Sequence, residues 1–487
     1  MRFLLINVLV LASFMQLKAQ KSAIAKPAAP AGNGYNIPIT LQPLKNCTIY
    51  IGSYFGKSMT LVDSTRLDAN SKGVFKGNKK LTGGIYFVVS PNYTLQFEVL
   101  MDDKQQFSIT GDTANKEKAF TTGSIDNELF KEYTVVSTEK GKNRQQLESE
   151  YKSAKSKEDS TRYREQLIKL EKEMEAYRAE IIKKHPTSLL TTLFNTMKRP
   201  TAPAIPVVNG KADSLYPYRF VKDHYWDEVE FNDNRLLRTP FFEPKLDEYF
   251  KYYVSPDPDS IIAEVNYMLL SARSGTEIYP YLLTKFTNKY INPEYMGQDR
   301  VFVYLFENYY AKGDTILLNP SSRKTITDRA YSLMANQLGL PAPALNLVDT
   351  AGKSISLYSI KSSFTLVAFW DPTCGHCKEE VPQIDSIYQA KWKALGVSIF
   401  SVNVNEKEVP AWKKFIRDKN LPKTWIHAHQ LKEDRQAEER AGKPNFRQLY
   451  DIFKTPTLYL LDADKRIIAK QLSLQQFDNI ITVKLKK

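Results

Sequence analysis

The pattern of apolar and polar positions changes from one part of the chain to the next. From residue 35 to about residue 122, short apolar runs with β-type alternation are separated by glycine, proline, asparagine and aspartate. Such runs are typical of strands joined by turns. The predicted strands cover residues 36–41, 47–54, 59–67, 84–89, 95–100 and 106–110. Their close spacing predicts a small β-sandwich.

From residue 125 to residue 337 the periodicity is helical. Apolar side chains in residues 163–181 recur alternately every four and three positions among lysine, glutamate and arginine, which predicts a long amphipathic helix. Pro186 should end this helix, because a proline disfavours helical backbone in the residue before it. The heptad pattern is short, so an antiparallel helix hairpin is favoured over a coiled-coil dimer. Further helices are predicted at residues 261–271, 279–290, 300–310 and 325–338.

Residues 216–253 are unusually rich in tyrosine and phenylalanine. Two interpretations are open: the rings form the core of the helical domain, or they form a platform that binds sugars or peptides. Core packing is favoured, because aromatic side chains at helix-like spacing usually face inward. No catalytic constellation is visible in this part of the sequence.

After residue 338, predicted strands and helices alternate. Residues 364–370 are apolar on both faces, as expected for a strand in the middle of a sheet. A helix should follow, because Cys377, Val381 and Ile384 recur at helical spacing. The charged residues 431–442 predict an exposed insertion. The other predicted elements are a hairpin at 345–348 and 354–357, a strand at 397–404, a strand or extended loop at 424–429, helices at 410–416 and 446–452, a hairpin at 457–461 and 466–470, and a helix at 473–485.

Two cysteines lie at the junction of this strand and helix. Cys374 is at the helix start, where unpaired N–H groups lower a thiol pKa from about 8.5 to between about 3.5 and about 7.5 and favour the nucleophilic thiolate. Cys377 is within one turn of Cys374 and can attack a mixed disulfide there, as the resolving thiol. His376 offers a nearby cation that further favours the Cys374 thiolate.

Several sequence features together carry a resemblance to a known family. They are Trp370, the Cys374-Gly375-His376-Cys377 run, Pro382 and the Lys454-Thr455-Pro456-Thr457 run. They resemble the thioredoxin-fold domain of TlpA/ResA-like envelope thiol-disulfide oxidoreductases, over residues 338–487. The resemblance implies an α/β thioredoxin-like fold with a mixed sheet and a redox-active pair, Cys374 and Cys377.

The same resemblance assigns a substrate-binding surface beside the dithiol. It implies that Pro456 is cis, faces the two thiols and keeps metals away from them. It also implies that the backbone of Thr455 pairs with a substrate strand and that Trp370 belongs to the same substrate-binding site.

The chain departs from thioredoxin at a buried carboxylate. Six residues before Cys374, where thioredoxin has that carboxylate, this chain has Ala368. TlpA/ResA-like proteins instead have a glutamate three residues after the second cysteine, which corresponds to Glu380. One turn along the helix from Cys377, Glu380 is a candidate proton acceptor for the resolving thiol. The alternative is that Glu380 is a solvated helix residue with charged neighbours.

The start of the chain resembles a targeting segment. Residues 1–20 have an early arginine followed by an apolar core, which predicts a cleaved secretory signal peptide; an uncleaved anchor is the alternative. The alanine- and proline-rich residues 21–34 read as a linker. No other segment has the roughly 20 apolar residues that a membrane helix needs. No stable membrane insertion is therefore expected after cleavage.

Three domains are predicted beyond the linker. They are a β-rich domain at residues 35–124, a mostly α domain at residues 125–337 and the thioredoxin-like domain at residues 338–487. The first two resemble modules of unknown function that precede thioredoxin domains in envelope proteins. With 42% hydrophobic residues among 487, the chain has enough apolar material for several cores.

Composition excludes some partners. The formal net charge of +14 arises from basic residues interleaved with acidic ones, so no nucleic acid is expected as a partner. Three cysteines are too few for a disulfide scaffold. Cys47 alternates with Ile49 and Ile51 and is expected to be a buried structural thiol.

Neither a metal nor a cofactor is expected. A structural zinc site needs four ligands, and the sequence offers the cysteine pair only His376, His427 and His429, with no second Cys-x-x-Cys. An inert disulfide between residues three apart would constrain too little chain to be useful for stability. A reactive dithiol is favoured.

These expectations favour an enzyme that reduces disulfides in exported proteins, in the periplasm or cell envelope of a Gram-negative bacterium. A membrane thiol-disulfide electron donor is the expected partner that returns it to the dithiol state. Two alternatives remain open. The Cys-Gly-His-Cys run resembles protein disulfide isomerase, which favours an oxidase or isomerase. The second alternative is an envelope binding module, formed by the β-rich and helical domains, with a subsidiary thioredoxin-like domain.

Overall fold

The computed structural model describes residues 34–115, 119–315 and 318–485. They form two compact units, one of residues up to Val254 with Leu270–Tyr279, and the other of Ser255–Leu269 with Pro280 onwards. The predicted helical domain at residues 125–337 contributes to both units, and the predicted domain limits stay predictions. The predicted signal peptide, and all of the predicted linker except Gly34, lie outside the described residues.

The β-rich part of the first unit contains two four-stranded sheets. Its strands are β1 (Tyr35–Gln42), β2 (Thr48–Phe55), β3 (Ser58–Arg66), β4 (Lys72–Gly77), β5 (Gly84–Val89), β6 (Leu95–Met101), β7 (Ser108–Asp112) and β8 (Phe120–Thr122). The strand orders are β3-β2-β5-β6 and β4-β1-β7-β8. Ile39 and Phe75 of one sheet pack with Ile51 and Val88 of the other in a buried cluster. The predicted β-sandwich is confirmed. Cys47, which was expected to be buried, is only half-buried, because it lies just before β2 at the edge of this cluster.

Strand β4 was not predicted, because its glycines resemble turn residues. Both Gly73 and Gly77 lie within the strand. A Cβ atom at Gly77 would lie 2.4 Å from the ring of Tyr35. Glycine is therefore required here by the close approach of a neighbouring side chain, not by a turn.

Helices follow the sandwich in the first unit. The elements are α1 (Ile125–Ser153), α2 (Lys157–Lys184), α3 (Leu189–Met197), β9 (Val207–Val208), β10 (Lys211–Ala212), α4 (Tyr216–Asp223) and α5 (Phe242–Tyr252). Helices α1 and α2 run antiparallel, since Tyr133 stacks on Tyr177 while Lys140 pairs with Glu173 at 2.6 Å. The predicted hairpin is confirmed, and α2 ends with His185 as its C-cap residue, directly before the proline.

Five rings of the aromatic stretch lie in the core, whereas Tyr218 and Tyr252 are exposed. Tyr225, Trp226, Phe231, Phe242 and Tyr249 are at most 6% exposed. Their rings contact one another with centroid distances of 5.0 Å between Tyr225 and Tyr249 and between Trp226 and Phe231. Core packing is therefore the correct interpretation for these five residues.

Four helices lead to the C-terminal sheet. They are α6 (Pro258–Ser271), α7 (Ile278–Tyr290), α8 (Asp299–Asn308) and α9 (Pro320–Met334). Pro320 opens α9 in the first helical turn, where its missing N–H has no helical acceptor to lose, and Asn319 caps it. These helices confirm the helical middle region.

The C-terminal part of the second unit is a mixed seven-stranded sheet with the order β12-β11-β15-β14-β13-β16-β17. Its strands are β11 (Asn346–Asp349), β12 (Ser354–Ser356), β13 (Phe364–Trp370), β14 (Val397–Asn403), β15 (Ile426–His429), β16 (Thr457–Leu461) and β17 (Ile467–Lys470). The helices are α10 (Gly375–Ile387), α11 (Val409–Asp418), α12 (Lys432–Arg440), α13 (Phe446–Leu449) and α14 (Leu474–Leu485).

Strand β13 lies inside this sheet, which explains why its residues are apolar on both faces. It runs parallel to β14 and antiparallel to β16. Leu366 and Trp370 pack on one face with Cys377, whereas Val367 and Phe369 pack in a separate cluster on the other. The multidomain fold class, with a C-terminal thioredoxin-like α/β fold, is confirmed.

Residues 431–442 are more ordered than an insertion suggests. They contain helix α12, which has no buried residue among those described and has glutamate and aspartate in its first turn. The composition is rich in good helix formers, so the segment is an exposed helix.

No helix among the described residues is both long enough and apolar enough to cross a bilayer.

Candidate active site

The two thiols lie where β13 passes into α10. Cys374 is the N-cap residue of α10 and is half-buried, whereas Cys377 in the first turn is fully buried. The two sulfurs are not bridged. The sequence therefore places one thiol at the surface of the site and the other beneath it.

Several groups lower the pKa of Cys374. The largest cause is hydrogen bonding from the Thr455 side chain, followed by the backbone N–H groups of Cys377 and His376, while burial opposes them. In the thiol form, Cys374 Sγ donates a hydrogen bond to the backbone carbonyl oxygen of Thr455 at 3.4 Å, which places the sulfur beside that loop. Free N–H groups at a helix start are the expected source of thiolate stabilisation.

The pKa of Cys377 is shifted in the opposite direction. Burial raises it to about 12, and the neighbouring Cys374 adds to the shift. The backbone N–H of Asp371, which lies 3.5 Å from the Cys377 sulfur, opposes it. Because the two pKa values are shifted in opposite directions, Cys374 ionises at a lower pH than Cys377.

The loop before β16 faces the dithiol. The Thr455–Pro456 peptide bond is cis, as the resemblance implies. Beside it lies an open groove of about 540 Å³, named here the dithiol groove. Residues that line it include His376, Glu380, Gln383, Lys454, Pro456 and Gln471. The structure thus brings the predicted Pro456, Glu380 and His376 to one surface.

Glu380 is half-buried in this groove. Burial raises its pKa above the ordinary carboxyl value, while the charges of His376 and Lys454 oppose the shift. Among the described residues, the structure records no hydrogen bond between Glu380 and either sulfur. The imidazole of His376 is exposed, and its charge lowers the pKa of Glu380. The backbone N–H of His376, by contrast, lowers the pKa of Cys374.

The position of Trp370 corrects one prediction. Its side chain is 0% exposed, its Nε1 donates to Ser401 Oγ at 2.7 Å, and its ring packs on Phe415. A ring with no exposed surface cannot contact a substrate, so Trp370 is a core residue below the site. The exposed side chain directly before Cys374 is Thr373.

Asp371 holds the turn before Cys374 and is not among the predicted site residues. Its Oδ1 accepts hydrogen bonds from the Thr373 backbone at 2.8 Å and hydroxyl at 2.7 Å, and its Oδ2 accepts from Asn405 at 2.9 Å. Burial opposes its ionisation, but these hydrogen bonds outweigh burial and lower its pKa. The Asp-Pro-Thr sequence is the available signal, because aspartate commonly accepts from the backbone two residues later.

Metal ligands do not gather at the site. In the part of the chain that the structure describes, no three histidine, cysteine, aspartate or glutamate side chains form a group that could hold a metal ion. His427 and His429 lie on β15, and the rings of both pack against Trp412.

Comparison with known families gives two matches. Residues 338–470 match the AhpC/TSA family, and residues 142–316 match a domain of unknown function, DUF5106. A thiol-disulfide oxidoreductase ResA of Bacillus cereus is 28% identical over 134 residues, which are 28% of this chain and 69% of ResA.

Two solved structures are similar to parts of the chain. A domain of a possible thiol-disulfide isomerase from Cytophaga hutchinsonii is 33% identical, with a TM-score of 0.27, and the match covers 31% of this chain and 93% of that one. A thioredoxin-like protein from Bacteroides caccae is 22% identical, with a TM-score of 0.44, and the match covers 59% and 99% of the two chains.

The family match and the ResA relatives confirm the resemblance inferred from the sequence motifs. The chain carries a C-terminal thioredoxin-like domain of the AhpC/TSA family, homologous to ResA, and is an enzyme of the thioredoxin-like thiol-disulfide oxidoreductase family.

Proposed function

We propose that the protein reduces disulfides in exported proteins of the cell envelope, with Cys374 as the nucleophile and Cys377 as the resolving thiol. The observation that carries the two thiol roles is the opposite shift of the two pKa values, lowered at the half-buried Cys374 and raised to about 12 at the buried Cys377. An accessible thiolate next to a protected thiol is what sequential disulfide exchange requires. The reducing direction is proposed on the resemblance to TlpA/ResA-like oxidoreductases together with the position of Glu380.

The reaction has two exchange steps. In the first, the Cys374 thiolate attacks one sulfur of the substrate disulfide, a mixed disulfide forms, and the other substrate sulfur leaves as a thiolate that takes up a proton. In the second, Cys377 loses its proton and attacks the Cys374 sulfur, and the remaining substrate sulfur leaves and is protonated. The substrate gains two electrons and two protons, and the enzyme is left with a Cys374–Cys377 disulfide.

The second step needs a proton acceptor, because a thiol with a pKa near 12 is rarely ionised at neutral pH. Glu380 is proposed for this role. Its raised pKa brings a carboxylate closer to the range in which a general base is effective, and its position in the dithiol groove gives it access to water. Water in the groove would carry the proton between the thiol and the carboxylate.

A return to the dithiol state requires a reductant. We propose a membrane-bound dithiol donor. It would attack the Cys374–Cys377 disulfide, reduce it to the dithiol and itself be oxidised to a disulfide. Neither a cofactor nor a metal takes part in the proposed cycle.

A location in the cell envelope is proposed on the basis of the N-terminal sequence. The arginine and apolar core of residues 1–20 support export, and the resemblance to envelope oxidoreductases supports the periplasm of a Gram-negative bacterium. Cell fractionation with N-terminal sequencing of the mature chain tests this proposal; recovery of the unprocessed chain in the cytoplasm would contradict it.

A second candidate is an oxidase or isomerase. The lowered pKa of Cys374 favours it, because stabilising the thiolate stabilises the reduced enzyme and makes the disulfide more oxidising. The reduction potential separates the two directions: a value near about −270 mV supports a reductase, and one near about −180 mV supports an oxidase or isomerase.

Insulin reduction by the purified chain tests the proposed chemistry. We expect turnover by the wild type and by Cys47→Ala, and no turnover by Cys374→Ala. Cys377→Ala should accumulate mixed disulfides that mass spectrometry can identify. Failure of the wild type to reduce insulin, with ligand binding that survives Cys374→Ala, would support an envelope binding module instead.

A further inference from the structure

The loop that leads to Pro456 carries an exposed aromatic ring. Phe453 is 75% exposed and lies two residues before Thr455. The carbonyl oxygen of Thr455 is 3.4 Å from the Cys374 sulfur. Successive Cα atoms are about 3.8 Å apart, so the Cα atoms of Phe453 and Thr455 are at most about 7.6 Å apart. The ring is therefore close to the path by which a substrate approaches Cys374.

Arg329 of α9 holds this ring in place. Its guanidinium carbon lies 4.7 Å from the centroid of the Phe453 ring, within the range of a cation–π contact. The guanidinium also donates to the carboxylate of Asp451 and, at 3.3 Å, to the carbonyl oxygen of Ile291. Since the Arg329 side chain is only 12% exposed, it forms a fixed support rather than a mobile surface group.

The same ion pair reaches the dithiol groove. Asp451 is 3% exposed, and its second carboxylate oxygen accepts a hydrogen bond from Gln471 at 3.4 Å. Gln471 lines the groove together with Lys454 and Pro456. Asp451 has a φ of 50°, a backbone conformation that an aspartate adopts at a cost. The Arg329–Asp451 ion pair links Asp451, and through it Gln471, to α9.

We propose that Phe453 is a specificity-determining substrate contact and that Arg329 is the positioning residue that fixes it. This inference rests on the proposed function, because it names the class of disulfide that the site prefers. The preferred substrate is an extended protein segment with a bulky apolar side chain next to its reactive cysteine. Such a side chain would cover the exposed Phe453 ring, whereas a small polar one gains nothing from it.

Two disulfide-containing peptides test the inference. They are identical except for the residue next to the attacked cysteine, which is phenylalanine in one and serine in the other. The wild type should show a higher kcat/KM for the phenylalanine peptide. Phe453→Ala should lower that kcat/KM by about tenfold, the loss expected for a buried aromatic contact, and leave the value for the serine peptide unchanged.

Arg329→Met should also lower kcat/KM for the phenylalanine peptide. As a positioning residue, Arg329 should affect KM for the phenylalanine peptide more than kcat, and it should not change the pH profile of Cys374 alkylation. Matched controls lie on the same helix: Tyr331→Ala removes another exposed ring, and Arg323→Met removes an exposed guanidinium. Both controls should behave as the wild type.

The outcomes separate this inference from the proposed function. Reduction of both peptides at equal rates by the wild type, or an equal loss on both peptides in Phe453→Ala, overturns the inference alone. Reduction of neither peptide by the wild type overturns the proposed function as well. Because Phe453 is mostly exposed, its substitution remains informative even if Arg329→Met does not fold.

Discussion

A buried ion pair holds part of the second unit together. Lys470 at the end of β17 is 5% exposed and Asp299 at the start of α8 is 4% exposed, and Lys470 Nζ lies 2.6 Å from Asp299 Oδ2. The ammonium also donates to the backbone oxygen of Asn336 at 2.9 Å and to its side-chain oxygen at 2.7 Å. All three donors of the ammonium have an acceptor, so the buried charge is well compensated while Asp299 is present.

We predict that Asp299→Asn strongly destabilises the second unit. The variant keeps the size of the side chain but leaves the Lys470 ammonium buried without its counter-charge, which costs about 3–5 kcal/mol. The matched control is Asp328→Asn, which breaks the Lys324–Asp328 pair; its side chains are 76% and 62% exposed. The control should cost less than about 1 kcal/mol, as exposed pairs do.

The pH dependence has a defined sign. Burial lowers the pKa of Lys470, and Asp299 opposes that shift. In Asp299→Asn the folded-state pKa should fall further, so the unfolded state binds more protons and stability rises with pH. The loss caused by the variant should therefore be smaller near pH 10 than at pH 7.

Urea denaturation followed by tryptophan fluorescence measures these differences. Three tryptophans of the second unit, Trp370, Trp392 and Trp412, are fully buried and report its unfolding. The double variant Asp299→Leu/Lys470→Met should recover most of the lost stability, since apolar side chains can replace a buried pair. A loss of stability in Asp299→Asn no larger than that in Asp328→Asn would refute the proposed role of the buried pair.

Three further predictions concern the site and its sheet. Glu380→Gln should slow decay of the mixed disulfide at neutral pH; an unchanged pH profile of that decay would remove Glu380 from the mechanism. Burial lowers the pKa of His427 from 6.5 to about 4, so stability should be lost as pH falls through that window, by roughly 3 kcal/mol. His427→Leu should abolish this acid loss in denaturation measured at pH 7 and pH 4, whereas a substitution of the exposed His224 should not. Asp371→Ala removes three hydrogen bonds that hold the turn before Cys374 and should slow alkylation of Cys374; wild-type kinetics would contradict its positioning role.

The apolar pattern of the sequence predicted most accurately those strands of the C-terminal sheet in which every residue is buried. Strands β13 and β16 have the predicted limits, since every residue in them is buried and the apolar run itself marks the strand. The alternation in β1 similarly marked its buried face. Strand β4 escaped prediction because its glycines resemble turn residues, whereas Gly77 serves a close approach to the ring of Tyr35, which is distant in sequence. Local pattern does not signal a glycine that is required by a side chain distant in sequence.

The candidate site was predictable only where it is local in sequence. Cys374, Cys377 and His376 share one helix start, and a family motif brought Pro456 to them. Trp370 was misplaced because a strand residue next to the site can face the core below it. Arg329 contacts Asp451 across 122 positions of the chain, and no periodicity signals such a contact.

The pH dependence of Cys374 alkylation tests the central claim most directly. The reduced wild-type protein would be pulsed with iodoacetamide across a pH series, and modification of each cysteine would be followed by peptide mass spectrometry. The account predicts that Cys374 reacts fastest, with a midpoint below the ordinary cysteine value of about 8.5, while Cys377 stays unmodified through neutral pH. A Cys374 midpoint at or above the ordinary value, or faster reaction at Cys377, would contradict it.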